Sequence, residues 1–295
     1  EAFAGGETRT ITIDGVQYTV KNKLTTANDL SYSKDTSTGE LTLIASNFEI
    51  RGQEDVEHNL IISGRNNSIY GGGLADTIEE LNSNCGNNYI YGGNGNDTLL
   101  LKSTSKAYGG DGDDTITISG NNLQYVFGEG GNDTFNLNGY WANVQGGNGN
   151  DVFNINCSYS NLLVGNEGND TFNIIGKLNN LNIKDVNFFN IHTYGKSNSG
   201  SIVGRVDNKL TLIHSKIISE VNGNAMVGGI CGLAKKVKLI DSLIATRVSA
   251  LGGNGLALGA CETFIDHNNT FVKLGKNKNH EETNENKTGI ILSLK

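Results

Sequence analysis

The sequence predicts an all-β protein: a parallel β-solenoid with a β-hairpin cap at its N-terminus. Three observations lead there. A glycine-rich phrase ending in aspartate recurs six times between Tyr70 and Ile174. On either side of each copy, apolar and polar residues alternate with the period of two that marks a half-buried strand. The chain of 295 residues holds 40 glycines and no proline, which suits tight turns and backbone amides that nearly all serve ladders.

The copies are Gly71-Gly-Gly-Leu-Ala-Asp76, Gly92-Gly-Asn-Gly-Asn-Asp97, Gly109-Gly-Asp-Gly-Asp-Asp114, Gly128-Glu-Gly-Gly-Asn-Asp133, Gly146-Gly-Asn-Gly-Asn-Asp151 and Gly165-Asn-Glu-Gly-Asn-Asp170. From first glycine to first glycine the steps are 21, 17, 19, 18 and 19 residues. A step near eighteen gives each coil two strands, one glycine turn and one unrelated turn. The unrelated turns are polar: Cys85-Gly-Asn-Asn88, Ser119-Gly-Asn-Asn122, Asn138-Gly-Tyr-Trp141 and Asn156-Cys-Ser-Tyr159. Each coil then touches mainly its neighbours, as in other repeat proteins.

The core follows from this register. Ile78, Leu99, Ile116, Phe135, Phe153 and Phe172 follow the glycine turns and point inward. Ile69, Ile90, Ala107, Val126, Val144 and Leu163 face them from the preceding strands. Outward neighbours such as Thr98, Thr115, Thr134, Asn136, Asn154 and Asn173 are polar. The phenylalanine column reads as core stacking.

Glycine reaches φ > 0 without steric cost, so successive glycines can turn carbonyl oxygens inward. Calcium is a hard ion that takes six to eight oxygens, carbonyls and carboxylates among them. One turn offers too few, but two turns stacked about 4.8 Å apart can hold an ion between them. An aspartate repeated in every copy is costly without a cation, because stacked like charges repel. The copies match the nonapeptide Gly-Gly-x-Gly-x-Asp-x-apolar-x and resemble the repeats-in-toxin (RTX) family of secreted bacterial proteins. That resemblance implies turn carbonyls and sixth-position aspartates as calcium ligands. The candidate metal residues are Gly92, Asn94, Gly95 and Asp97; Gly109, Asp111, Gly112 and Asp114; Gly128, Gly130, Gly131 and Asp133. They continue with Gly146, Asn148, Gly149 and Asp151; Gly165, Glu167, Gly168 and Asp170; and Asp76 from the degenerate first copy. Because only one turn per coil carries the phrase, the expectation is a single row of about four to five Ca2+ ions.

Three regions are expected: residues 1–50 as the β cap, 51–198 as the calcium roll, and 199–295 as a second solenoid with a closing strand. In the cap, Thr10–Val20 reads as a hairpin about Asp14-Gly15. Leu30–Ser33 and Leu41–Ile44 flank Thr36-Ser-Thr-Gly39 as a second pair. Such a cap covers a sheet edge that would otherwise recruit other chains; docking to a preceding part of a larger protein is the alternative. Residues 194–200 form the expected boundary and 275–287 a polar loop before a closing strand at 288–295.

The C-terminal region repeats at a longer interval. Ile202-Val-Gly204, Ile230-Cys-Gly232 and Ala257-Leu-Gly259 align at steps of 28 and 27. Leu212-Ile-His-Ser215, Leu239-Ile-Asp-Ser242 and Phe264-Ile-Asp-His267 align at 27 and 25. Val227-Gly-Gly-Ile-Cys-Gly232 followed by Ile240–Thr246 is similar to the GLUG repeat of bacterial surface proteins, with Cys231, Leu243 and Arg247 departing from it. A period near 27 suits a wider coil with three faces. His214, Asp241 and Asp266 fall on successive coils beside Lys235, Lys236 and Arg247. They are the one constellation that sugar chemistry could use. Turn chemistry explains the same residues, and no catalytic residue is assigned.

Net charge is −8, which argues against a nucleic-acid partner. It is uneven: residues 1–198 carry 11 Lys+Arg against 23 Asp+Glu, and residues 199–295 carry 12 against 8. The acidic part is where the ions are expected. Cys85 and Cys157 lie four coils apart, roughly 19 Å at the strand spacing, too far to bond. Cys231 and Cys261 fall on neighbouring coils three residues out of register, which leaves a disulfide and two buried thiols both open. No run is long and apolar enough to cross a membrane as a helix. A first residue of Glu1 in place of Met points to a processed or excised piece.

The resulting expectation is an extracellular or bacterial cell-surface protein, structural or adhesive, stiffened by its ions. Its partners would be further copies through the solenoid ends, or a surface glycan or protein receptor. A polysaccharide lyase or epimerase, and a secretion and folding module of a larger toxin, are the competing readings.

Overall fold

A computed structural model describes residues 1–120, 124–140, 142–156, 162–168, 170–174, 178–184, 186–195, 202–223, 227–250, 254–255, 258–274, 281–283 and 291–293. Expectations for Trp141, Cys157, residues 196–200 of the boundary and residues 275–280 and 284–290 lie outside the described residues. Tyr194 and Gly195 end a strand, Asn187–Gly195, and Glu281–Thr283, expected in a loop, is a strand antiparallel to Thr270–Leu274. The described residues are strands and turns without helix, and the chain divides into two compact units, Glu1–Asn154 and Ile155–Lys295. The fold is the parallel β-solenoid that the repeats predict.

In the first unit each coil crosses two sheets. The strands leading into the glycine turns are Ser68–Gly72, Gly86–Asn94, Thr104–Asp111, Gln124–Gly130 and Ala142–Asn148, each parallel to the next. The strands leaving them are Thr77–Glu80, Thr98–Leu101, Thr115–Ile118, Thr134–Leu137 and Val152–Ile155. Register is in phase: Ile69, Ile90, Ala107, Val126 and Val144 pair in one column. Ile78, Leu99, Ile116 and Phe135 pair in the other. All nine are fully buried. The Phe135 and Phe153 rings stack at 4.8 Å, so this column is packing, as expected.

The two halves of a coil differ in regularity. Nine residues separate Ile69 from Ile78, and the same nine separate Ile90 from Leu99, Ala107 from Ile116, Val126 from Phe135 and Val144 from Phe153. The other half, through the unrelated turn, takes 12 residues from Ile78 to Ile90, 8 from Leu99 to Ala107 and 10 from Ile116 to Val126. All the irregularity in the repeat length is thus absorbed on one edge, where the pairing also slips between Gly86 and Tyr89.

The cap contains both expected hairpins. Thr8–Ile13 runs antiparallel to Val16–Asn22 about Asp14 and Gly15, whose φ of 49° and 84° are those of a tight hairpin turn. Val16–Asn22 lies antiparallel on Phe48–Arg51, and Ser31–Lys34 lies antiparallel on Leu41–Ile44. Parallel stacking starts with these two partners, since Leu41–Ile44 pairs with Asn59–Ser63 and Phe48–Arg51 with Ser68–Gly72. Each sheet therefore begins on an antiparallel strand, and Ser31–Lys34 turns four exposed residues, one of them lysine, to solvent.

The second unit has a wider coil, as its longer period predicts. Val203–Ile213, Cys231–Ile240 and Leu258–His267 form one parallel sheet. Lys216–Gly223, Leu243–Ala250 and Thr270–Leu274 form a second, and Val227–Gly228 pairs with Asn254–Gly255 in a third. Cys231 and Cys261 are buried free thiols that hydrogen-bond backbone carbonyls of their own strands, Leu233 and Thr263. The third sequence copy needs a correction. Leu212 and Leu239 pair with Asp266, not with Phe264, so the step is 27 and not 25.

Removing the ring of Phe135 should cost about 3–5 kcal/mol, because a stacked column collapses poorly around a cavity. Urea unfolding of Phe135→Ala at saturating calcium measures this; a loss under about 1 kcal/mol would mean that the column is loosely packed.

Candidate calcium sites

The glycine turns are built by two separate demands on glycine. At the second and fourth positions the backbone is left-handed: Gly93 and Gly95 have φ of 120° and 105°, Gly110 and Gly112 117° and 134°, and Gly147 and Gly149 120° and 126°. Glu129 and Asn166 take the second position at φ of 79° and 71°, where a glycine would be cheaper. The degenerate first turn has none of this left-handed backbone. The first glycines are required for a different reason. A Cβ on Gly92 would lie 2.2 Å from Asp97 Oδ2 and 2.5 Å from the carbonyl oxygen of Gly109 on the next coil. Gly71, Gly109 and Gly128 meet the same pair of atoms in their own coils. An aspartate oxygen and a carbonyl oxygen thus converge beside each of these four first glycines.

The sixth-position aspartates line the inside of the turns. Asp76, Asp97, Asp114, Asp133, Asp151 and Asp170 are at most 5% exposed. In the first unit they form a relay. Each Oδ1 accepts the backbone N–H of the aspartate one coil earlier: Asp76 to Asp97 at 2.7 Å, Asp97 to Asp114 at 2.7 Å, Asp114 to Asp133 at 2.9 Å and Asp133 to Asp151 at 2.8 Å. One oxygen of each carboxylate is therefore satisfied by protein. The Oδ2 atoms of Asp76, Asp97, Asp114 and Asp133 are buried and meet no hydrogen-bond donor.

Two contrasts within the same unit show what those oxygens lack. Across the coil, the unrelated turns use the same relay with neutral residues: Asn67 N–H donates to Asn88 Oδ1, and Asn88 N–H to Ser105 Oγ. There the second amide atom is a donor, and it finds a carbonyl: Asn67 Nδ2 reaches Ala45 O at 2.8 Å and Asn88 Nδ2 reaches Gly64 O at 3.2 Å. Glu80 is also buried and ionisable, yet both its oxygens are saturated. It accepts from the N–H groups of Lys102 and Ser103, the Ser105 hydroxyl and Asn88 Nδ2. The chain pairs a buried carboxylate fully where it serves structure alone. At the glycine turns it leaves a row of acceptors beside carbonyls, a lining that suits a cation.

The electrostatics agree. With protein groups alone, burial pushes the carboxyls of Asp97, Asp114 and Asp133 up to about 7, assisted by the neighbouring aspartates and opposed by the relay hydrogen bond. Asp76 is raised as well, chiefly by burial.

Not every residue of the expected set points into the row. The side chains of Asn94, Asp111, Asn148 and Glu167, at the third position, are exposed. The third-position carbonyls of Asp111, Gly130 and Asn148 accept N–H groups from Gly95, Gly112 and Gly131 of the preceding coils. Gly112 and Gly131 hold the fourth position because a Cβ there would lie 2.0 Å from the carbonyl of the coil before, and Gly149 is crowded in the same way. The structure brings together the sixth-position carboxylates and the first-position carbonyls of Gly109, Gly128 and Gly146. No group of three or more His, Cys, Asp or Glu side chains converges among the described residues, so each ion would rely heavily on backbone oxygen. Sequence reading missed the fifth-position ladder. Asn96, Asp113, Asn132 and Asn150 hand backbone N–H to side-chain oxygen along the exposed rim, at 2.6–2.9 Å. Asn or Asp at that place in every good copy was the available signal.

The constellation of the second unit resolves into a turn. His214, Asp241 and Asn268, not Asp266, occupy equivalent left-handed positions with φ of 48°, 46° and 55°. His214 Nε2 lies 3.4 Å from Asp241 Oδ2, and Asn268 Nδ2 donates to Asp241 Oδ1 at 2.8 Å. All three are exposed, and Asp266 instead accepts from Asn269.

Stacked glycine turns with buried, oxygen-only linings define a calcium-binding solenoid. The RTX calcium-binding nonapeptide repeat family matches this chain in four copies, over residues 83–101, 106–117 and 158–173. Those residues include the turns ending at Asp97, Asp114 and Asp170. The matched residues are RTX calcium-binding repeats, and they lie on coils of the parallel β-solenoid. No curated protein and no solved structure matches the chain.

Two outcomes follow from the unpaired oxygens. The first concerns pH. Because the folded carboxyls titrate near 7 and the unfolded ones near their ordinary 3.8, the calcium-free fold holds extra protons between those values. Their contribution to stability is full below the lower value and is lost as pH rises through the higher one. In chelator, the melting temperature should fall as pH rises from about 5 to about 8; a rise would place the aspartates outside a buried row. The second concerns charge. Asp114→Asn should raise the stability of the chelated protein by on the order of 1–3 kcal/mol and lower its calcium stoichiometry. Paired melts with and without calcium, with metal counts, check both signs.

Proposed function

We propose that this chain is a secreted, calcium-dependent structural or adhesive segment of a bacterial surface, made rigid by ions held between its coils. One observation carries the reading: four successive carboxylates in the first unit are buried with an oxygen that no protein donor reaches. A fold with that feature is completed by calcium, and millimolar calcium is found outside cells. Four ions are proposed in the first unit, one in each gap from Asp76/Asp97 to Asp133/Asp151, with the sixth-position carboxylates and first-position carbonyls as ligands.

Rigidity is the physical product. Each ion ties two coils, and at 100 times its dissociation constant each adds about 2.7 kcal/mol. Neighbouring coils carry almost all the contacts of a repeat protein, so the gain is local and repeats along the body. Among the described residues no helix is long and apolar enough to cross a membrane. The second unit, with its three-sheet coil and its likeness to surface-protein repeats, is proposed to present the contact surface or the joint to further copies.

Circular dichroism and electron microscopy of the purified chain, with calcium and with chelator, test this. The expected result is loss of β signal from the repeat region on chelation, and ordered assemblies or surface binding only with calcium. A β signal indifferent to chelator, or a calcium-loaded monomer that binds no bacterial surface, would overturn it.

A further inference from the structure

The row of aspartates has a definite start. His58 occupies the sixth position one coil before Asp76, since Asn59 pairs with Thr77 and Thr98 pairs with Thr77 in turn. Its backbone repeats the relay. His58 N–H donates to Asp76 Oδ1 at 2.7 Å, as Asp76 N–H does to Asp97. His58 O accepts from Thr77 N at 2.7 Å, as Asp76 O does from Thr98. The first glycine is also in place. A Cβ on Gly52 would lie 2.3 Å from Gly71 O and 2.4 Å from His58 Nε2. On the next coil, a Cβ on Gly71 would lie 2.5 Å from Gly92 O and 2.3 Å from Asp76 Oδ2. The imidazole nitrogen stands where the next four coils put the unpaired carboxylate oxygens of Asp76, Asp97, Asp114 and Asp133.

The chemistry at that point is inverted. His58 is 3% exposed, and its Nε2 lies 3.0 Å from the carbonyl oxygen of Gln53. A carbonyl can only accept, so Nε2 carries the proton and donates. Nδ1 lies 3.2 Å from the Tyr18 hydroxyl, on the cap strand Val16–Asn22. Both ring nitrogens are thus occupied by protein, the N–H by the Gln53 carbonyl of its own turn, and no bare acceptor is left at this point of the row.

We propose that His58 terminates the calcium row: its ring puts a satisfied N–H where later coils put a bare carboxylate oxygen, so the gap between the coils of Gly52 and Gly71 calls for no cation, and it fastens the row to the cap through Tyr18. The coil of His58 then folds without metal and gives the first ion, beyond Asp76, a preformed neighbour to bind against. Filling the same position with a carboxylate would restore the unpaired oxygen and open one more site.

The proposal rests on calcium occupying the aspartate row, and the test separates the two. Bound calcium is counted per chain, by metal analysis after gel filtration and by titration calorimetry, for the wild type, His58→Asp and His58→Asn. The expected result is one additional ion in His58→Asp and an unchanged count in His58→Asn. A folded His58→Asp with the wild-type count overturns the terminator role, and so does a His58→Asn that loses an ion, which would make His58 a ligand. Should His58→Asp fail to fold even in calcium, the His58→Asn count decides by the same criterion. A wild-type chain that binds no calcium removes the row itself, and the terminator with it.

Discussion

A buried carboxylate with one oxygen bonded and one oxygen bare is the constraint that organises this molecule. The bonded oxygen sets the spacing, because it must reach the backbone of the coil before it. The bare oxygen sets the composition of the turn, because it presses against the first glycine and excludes any side chain there. A carboxylate so placed is a poor choice for a structure of protein alone, where an amide makes the same relay without charge. Asn67 and Asn88 do so on the opposite edge of the same coils. The choice of Asp over Asn, copy after copy, is what ties this fold to a divalent ion.

Much of this was legible in the sequence because it is repeated. Six copies of one phrase fixed the coil, and the alternation around Ile78, Leu99 and Phe135 fixed which faces are buried. The Asp14-Gly15 hairpin was legible because that dipeptide has one favoured turn. What escaped was set by stacking. The first glycines looked like residues of conformational freedom, whereas Gly92 and Gly109 are glycines for want of space. Nor did the sequence show that the third-position carbonyls of Asp111 and Asn148 take coil-to-coil bonds while their side chains face water.

Register was the weakest point of pattern reading. Phe264-Ile-Asp-His267 resembles Leu239-Ile-Asp-Ser242, yet the strands pair two residues away from that match, and Asp241 stacks with Asn268. His58 was hidden by one extra residue. Its turn runs seven residues from Gly52 where the later ones run six, although Gly52 lies 19 residues before Gly71, within the ordinary step. A similarity of side chains is a weaker guide to alignment here than the backbone bonds that each coil hands to the next.

The unequal halves of the coil carry an implication for change over time. Nine residues always span the ion-bearing side, whereas the far side has already accepted anything from 8 to 12. Length can therefore drift along one margin while the mineral seam opposite keeps its pitch. A lineage, or a designer, could graft a recognition loop onto that permissive margin and leave the hard seam unaware of the addition.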